Sequence, residues 1–213
     1  MARQLLKCAM IRGEQQRLID TVVQYPPGTP SPFRRIYRWR GALVAPALAA
    51  AAVTAWTTHP VPLEIVLGGG MFLVGWAGRA WAQRHLGYRV RERMRLTTCG
   101  PYGWIRNPVY VANTLAVTGT TLMAGSYWLA AGTALLCGAV YSVVVRYEEV
   151  RLARCYGRAY LAYHAVTPRW LPAGLARSAP AGCACTRSWT DVAKAEWQVP
   201  LILLPVLLPR LIR

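Results

Sequence analysis

"NPVYVANTLAVTGTTLMAGSYWLAAGTALLCGAVYSVVV", residues 107–145, runs for thirty-nine positions without an Asp, Glu, Lys or Arg. A helix crosses the roughly 30 Å hydrocarbon layer of a bilayer in about 20 residues, so the run is twice the length of one span. Gly125-Ser126 stand near its middle. The spacing predicts two helices, 108–124 and 127–146, joined by a tight hairpin. Two further apolar stretches precede them. Gly41–Thr58 is uncharged over eighteen residues, and Pro62–Gly78 carries one charge, Glu64, near its start. Glu64 is expected at the outer boundary, where a carboxylate can reach water. Gly68, Gly69, Gly70, Gly75 and Gly78 in the second stretch permit close helix approach. The expectation is an all-α, polytopic membrane protein with four spans.

The whole composition agrees. Of 213 residues 54% are hydrophobic and 15% charged, yet the net charge is +17. A soluble domain carries about a quarter charged residues. Eight of the 25 basic residues lie in 1–40, seven between Arg79 and Arg106, and ten from Arg146 onward, with none around His59 or Gly125. All 25 fall on one side of a four-span chain. That is the positive-inside pattern, and it predicts an integral, multi-pass protein with both termini cytosolic. Nucleic-acid binding gives no reason for charge to alternate with spans, so that class is set aside.

The chain divides into a cytosolic segment 1–40, a transmembrane domain 41–172 and a tail 173–213. Residues 1–24 suit a short amphipathic helix, and "FRRIYRWR" (33–40) suits a headgroup anchor. No apolar core of a secretory signal occurs there, so none is expected. The tail's closing "VPLILLPVLLPRLIR" (199–213) is expected to be interfacial or re-entrant, being too short to span. The six cysteines show no metal-ligand spacing. Cys183 and Cys185 lack a second pair or a nearby His, so no metal site is expected. Cys137 is expected as packing, and Cys8, Cys99 and Cys155 as free thiols in a reducing cytosol.

The ends of the hairpin carry the chemistry. "CGPYGWIRNPVY" (99–110) enters it with a Gly-Pro turn. Tyr102 and Trp104 suit the interface, Asn107 suits a helix cap, and Pro108 suits the first helical position. "RYEEVRLARCYGRAYLAYHAV" (146–166) leaves it, and "TPRWLP" (167–172) ends that helix. An outward and a returning helix bring Arg106–Tyr110 and Arg146–Glu149 to one face. Paired carboxylates at a membrane edge are costly and mark function. Arg, a helix N-terminus, two carboxylates and several Tyr suit a ligand bearing both charges.

These blocks resemble the integral-membrane methyltransferases of the isoprenylcysteine carboxyl methyltransferase and phospholipid N-methyltransferase superfamily. The resemblance rests on Gly100-Pro101-Tyr102, Arg106-Asn107-Pro108-Val109-Tyr110, Glu148-Glu149, Tyr156-Gly157 with Tyr160 and Tyr163, and Pro168-Arg169-Trp170-Leu171-Pro172. It covers about residues 95–172 and implies S-adenosylmethionine bound on the cytosolic face. The implied cofactor contacts are Gly100, Pro101, Tyr102, Arg106, Asn107, Pro108, Tyr110, Glu148, Glu149 and Tyr160. The implied catalytic set is Arg106, Glu148 and Glu149. Asn107 stands where a His is common and cannot act as a base near neutral pH. The implied partners are membrane lipids and a lipophilic methyl acceptor.

The residue types fit that ligand. Arg106 and the helix N-terminus would hold the cofactor carboxylate, a glutamate its ammonium or ribose, and Tyr102 or Tyr110 the sulfonium. Glu148 and Glu149 differ by about 100° around a helix, so one is expected to face the cofactor. Glu149 shares a side with Arg146, which favours Glu148 for the cofactor and keeps Glu149 as the alternative. Two other readings compete. A membrane NADPH-dependent sterol or steroid reductase resembles the Arg106 block, but Val109 stands where that family has Asn. A lipid-binding scaffold explains the charge but not Glu148-Glu149.

Overall fold

The computed structural model describes residues 32–86, 96–172 and 187–212. The expectations for residues 1–24 and for Cys8, Cys183 and Cys185 lie outside the described residues. The regular structure of the described residues is all helical, with no strand among them. Helix α1 spans Pro32–Thr57, α2 Pro62–Leu86, α3 Pro108–Met123 and α4 Tyr127–Tyr156. Shorter helices follow: α5 (Arg158–Val166), α6 (Trp189–Glu196) and α7 (Leu204–Ile212). Single 3-10 turns occupy Gly100–Gly103 and Val199–Leu203.

The hairpin forms where the sequence places it. Gly125 takes φ +92°, a left-handed conformation that a Cβ would strain. Its N–H donates to Leu122 O at 2.9 Å, and Ser126 Oγ caps α4 by accepting from Leu129 N at 3.2 Å. Thr58 Oγ1 donates to Ala124 O at 2.6 Å, tying the end of α1 to this end of the bundle. We call it the hairpin end.

Helix α3 is the centre of the packing, against α2, α4 and α1. Its closest neighbour is α2. A Cβ on Gly68 would lie 2.6 Å from Gly119 O, and one on Gly75 would lie 2.6 Å from Ala112 O. Absent side chains let the two backbones touch, which is how apolar helices associate without a hydrophobic drive from water. On α1, Val44, Ala47, Ala51 and Ala55 are buried at three- and four-residue spacing, a single face turned inward. Large apolar side chains stay exposed elsewhere, among them Leu67, Val74, Leu135 and Trp128. That inverted surface fits a lipid solvent. Exposed Trp39 and Trp56 stand near the two ends of α1, separated by about 26 Å at the helical rise.

Four helical segments are long and apolar enough to cross a membrane: Arg35–Thr57, Pro62–Leu86, Tyr127–Tyr156 and Trp189–Ile212. The number agrees with the sequence reading but the membership does not. Helix α3 has only 16 residues, about 24 Å, and is enclosed by its neighbours rather than facing lipid. The fourth long segment is the tail. Helix α6 and the 3-10 turn lengthen the apolar close of the chain to 24 residues, so the tail is not too short to span.

That segment runs from one end of the bundle to the other. Arg84 lies 4.5 Å from the Trp189 ring centroid, and Arg79 Nε bonds Glu196 Oε2 at 2.5 Å. At its far end Val206 packs with Ala51, Ala55, Met123 and Ala124, and Arg210 Nη2 donates to Met123 O. Arg210 therefore sits at the hairpin end, near Glu64. The start of α1 and the end of α7 lie at opposite ends of the bundle. Arg210 is thereby set apart from Arg79, Arg84 and Arg106, which corrects the expectation that all 25 basic residues gather at one end, and Glu64 offers it a partner there.

Glu64 also differs from expectation. It is 5% exposed, and its Oε2 accepts Val61 N–H at 2.9 Å. This is the return half of a capping box at the start of α2, so the carboxylate is satisfied by backbone rather than by water.

Candidate functional site

The opposite end gathers the residues of interest. The chain approaches α3 through the 3-10 turn, where Gly100 packs against the His85 ring and Pro101 and Tyr102 are buried. Tyr102 is not an interfacial anchor: it is 7% exposed, and its carbonyl accepts the Tyr163 hydroxyl at 2.7 Å. Trp104 is exposed, as an anchor should be, and meets Trp81 edge-on. Cys99 is disulfide-bonded, whereas Cys137 and Cys155 are free. The free thiol expected at Cys99 is thereby corrected. Pairing follows which cysteines the fold brings together, and spacing along the chain does not show that.

Helix α4 continues past Arg146 to Tyr156, carrying Glu148 and Glu149 on one continuous helix as expected, and the break comes at Gly157 rather than at the Thr167–Pro172 block. The chain turns at Gly157 into α5, then folds back so that Pro168–Arg169 returns to α3. Arg106 N–H donates to Pro168 O at 2.8 Å, and Asn107 Nδ2 to Arg169 O at 3.3 Å. Asn107 does occupy the N-cap position of α3 and its carbonyl accepts from Tyr110 and Val111, but its side chain makes no cap. The returning Arg169 carbonyl takes the amide instead. Pro108 holds the first helical position, as expected.

Glu149 lies at the centre of a buried clasp. Its Oε1 accepts Arg169 Nε at 3.1 Å and its Oε2 accepts Arg169 Nη2 at 2.6 Å, a bidentate fork. Arg106 Nε stands 3.3 Å from the same Oε1, and Arg106 Nη1 donates to His164 O at 2.9 Å. The Glu149 and Arg106 side chains are 2% and 4% exposed. The partner expected for Glu149, Arg146, is exposed instead. Tyr160 closes the clasp at 1% exposure. Burial pushes its hydroxyl well above the ordinary range of a phenol, and the Glu149 charge pushes the same way.

Glu148 points elsewhere. It is half-buried and lies against the Tyr110 hydroxyl, with Arg40 and Tyr37 of α1 nearby. Arg40 stacks 4.6 Å from the Tyr37 ring centroid, and Tyr37 meets Tyr147 at 5.3 Å. Tyr110 in turn packs 4.9 Å from Tyr141. Beyond Tyr141 lies a second polar group: Arg79 Nη1 donates to Asn113 Oδ1 at 2.6 Å, and Asn113 faces the Tyr141 hydroxyl. Sequence reasoning passed over Arg169, His164, Arg79, Asn113 and Glu196. Arg169 stood in one of the motif blocks, and Arg79 was visible as the first charge after the uncharged stretch 65–78.

Four long apolar helices, with a polar cluster at one end of the bundle, define an integral membrane protein. The profile of the phospholipid methyltransferase family matches residues 63–159, from α2 to the start of α5. The resemblance to the membrane methyltransferase superfamily therefore holds over that stretch, and Tyr163, His164 and Arg169 lie beyond it. The chain is 32% identical over 111 residues to the cobalt-zinc-cadmium resistance protein CzcN of Cupriavidus metallidurans, covering 52% of this chain and 50% of that protein. It is 34% identical over 95 residues to the nickel-cobalt-cadmium resistance protein NccN of Alcaligenes xylosoxydans xylosoxydans, covering 45% of this chain and 43% of that one. The chain thus spans about half the length of the curated relatives it matches. No solved structure matches it.

Proposed function

We propose that this protein is an S-adenosylmethionine-dependent membrane methyltransferase acting on a lipophilic acceptor. The family match over residues 63–159 supports the reaction class. The observation that carries the site is the separation of the two carboxylates, Glu149 clasped by arginines and Glu148 half-buried against Tyr110. The group fits these residues: Glu148 is placed for an ammonium or ribose hydroxyls, and the Tyr37, Tyr110 and Tyr147 rings suit a cation. S-adenosylmethionine supplies an electrophilic methyl group, which passes to the acceptor's lone pair while the sulfur keeps the electrons of the broken bond as a thioether.

The chain's own residues position and shield. Arg106 and Glu149 hold the α3 entrance, the α4 extension and the Arg169 return in register, so their part is positioning. Tyr110 presents its ring between Glu148 and the bundle interior and excludes water. Fixed orientation of this kind is the main source of acceleration for an in-line displacement. Isothermal titration in detergent tests the reading. Wild type should bind S-adenosylmethionine, and folded Glu148→Gln should lose about tenfold or more, since hydrogen bonds to charged groups contribute about 1.5–3 kcal/mol. Equal affinity in both proteins would refute the site.

A second reading follows from the relatives' names: the reaction serves resistance to divalent metals. Loss of cobalt tolerance on gene deletion, restored by wild type but not by Glu148→Gln, is the corresponding test.

A further inference from the structure

The group beyond Tyr141 has no part in the cofactor reading. Arg79 lies about 26 Å along α2, in a helix otherwise uncharged from Ile65 to Gly78. Its Nε bonds Glu196 of α6 and its Nη1 bonds Asn113 of α3, which faces Tyr141 of α4. Four elements of the bundle thus converge on one guanidinium. A guanidinium has five N–H donors, and these contacts use two of them. The remaining edge, Nη2 with the second Nη1 hydrogen, belongs to a side chain 24% exposed. Trp76, one turn earlier on the same helix, has a buried indole N–H without a partner among the described residues. Donors predominate here. Glu196, 3% exposed, is the carboxylate of the group and is already paired.

We propose that Arg79, with Asn113, Tyr141 and Trp76, forms a second binding site that takes an anionic group, carboxylate or phosphate, on a membrane amphiphile. This rests on the methyltransferase reading only for its purpose. With the cofactor at Glu148 and Tyr110, an in-line acceptor approaches from the far side of Tyr110, and Tyr141, Asn113 and Arg79 stand there. Arg79 is then a specificity-determining residue that anchors the acceptor. The free edge presents two parallel N–H groups, the geometry that matches a carboxylate or phosphate. A cationic headgroup meets the guanidinium and is repelled. Glu196 is the resting counter-ion: it neutralises Arg79 when the site is empty and competes with an incoming anion.

The last point gives the test its sign. Radiolabelled dodecanoate is titrated into phosphatidylcholine nanodiscs holding the full chain, with empty nanodiscs as background. Saturable binding is expected, displaced by dodecyl phosphate but not by dodecanol or dodecylammonium. The relative potency of dodecyl phosphate and dodecanoate tells which anion the site prefers. Arg79→Gln should weaken binding about tenfold, as for loss of a charge-assisted pair. Arg79→Lys, which keeps the ion pair with Glu196 but lacks the fork, should weaken it less. Glu196→Gln should strengthen it, whereas a purely structural ion pair predicts no gain. Displacement by dodecylammonium, unchanged affinity in both Arg79 variants, or weaker binding in Glu196→Gln would overturn the proposal. S-adenosylmethionine binding is measured in parallel on the same samples. Its absence alongside Arg79-dependent dodecanoate binding sinks the methyltransferase reading alone, and the converse sinks the anion site alone.

Discussion

Replacing Glu149 by Gln tests whether the clasp holds the site end together. The substitution keeps the shape of the side chain and removes one charge. In the wild type one carboxylate faces two guanidinium groups, Arg169 through a fork at 3.1 and 2.6 Å and Arg106 at 3.3 Å. Without it, Arg106 keeps its bond to the His164 carbonyl but retains a buried charge with no counter-ion from α4. Breaking a buried pair by removing one partner costs about 3–5 kcal/mol, because the remaining charge stays desolvated. We expect Glu149→Gln to fall in that range. Arg169→Gln should cost less, since Arg169 is 28% exposed and leaves Glu149 the Arg106 contact. Glu148→Gln, half-buried and outside the clasp, should stay within about 1 kcal/mol. Thermal unfolding of each variant in one detergent, followed by size-exclusion fluorescence, ranks the three. A Glu149→Gln protein as stable as wild type would refute the clasp and return Glu149 to the list of ligand contacts.

Three further outcomes are expected. Cysteine-accessibility labels at residues 165 and 212 should report opposite sides of the membrane; the same side for both would remove the Trp189–Ile212 crossing. Gly119→Ala should destabilise by about 1–3 kcal/mol, since its Cβ would meet Phe72 N at 2.7 Å with backbone on both sides. Alkaline stability should depend on Tyr160. Its folded-state hydroxyl is held protonated by burial, while the unfolded chain ionises near pH 10. Stability is then full below about pH 10 and falls as pH rises further, and Tyr160→Phe should flatten that limb.

Much of this was legible because the signals were local. An uncharged run of twice the spanning length with Gly-Ser at its centre can hardly fold otherwise than as a hairpin, and Pro108 and Ser126 mark the starts of α3 and α4. The ordering of the "GPY", "RNPVY" and "EE" blocks around that hairpin brought Arg106, Tyr110 and the two glutamates to one end. What escaped was long-range. Asn107 reads as a cap until Arg169 returns from sixty-two residues away to take its amide. Tyr102 reads as an anchor until α5 covers it with Tyr163. The tail reads as too short because α6, with its low apolar content, is needed to complete the length.

The two adjacent glutamates show why such a site resists reading by motif alone. Each residue step along a helix turns by about 100°, so a pair of adjacent carboxylates at a membrane edge is divided between two environments by the helix itself. On this helix the division falls between a closed interior and a half-open wall. Arg106 and Arg169 come from either side of α4 and meet on the Glu149 face, where both charges can be satisfied without water. The Glu148 face has α1 beside it, and Arg40 there is stacked on Tyr37 and bonded to the Tyr37 carbonyl at 2.8 Å. Neutralising Glu149 therefore acts on the fold first and on binding through it, while neutralising Glu148 acts on binding with the fold intact. A motif weighs the two residues equally. Near-complete burial of Glu149 against partial burial of Glu148 assigns them different work.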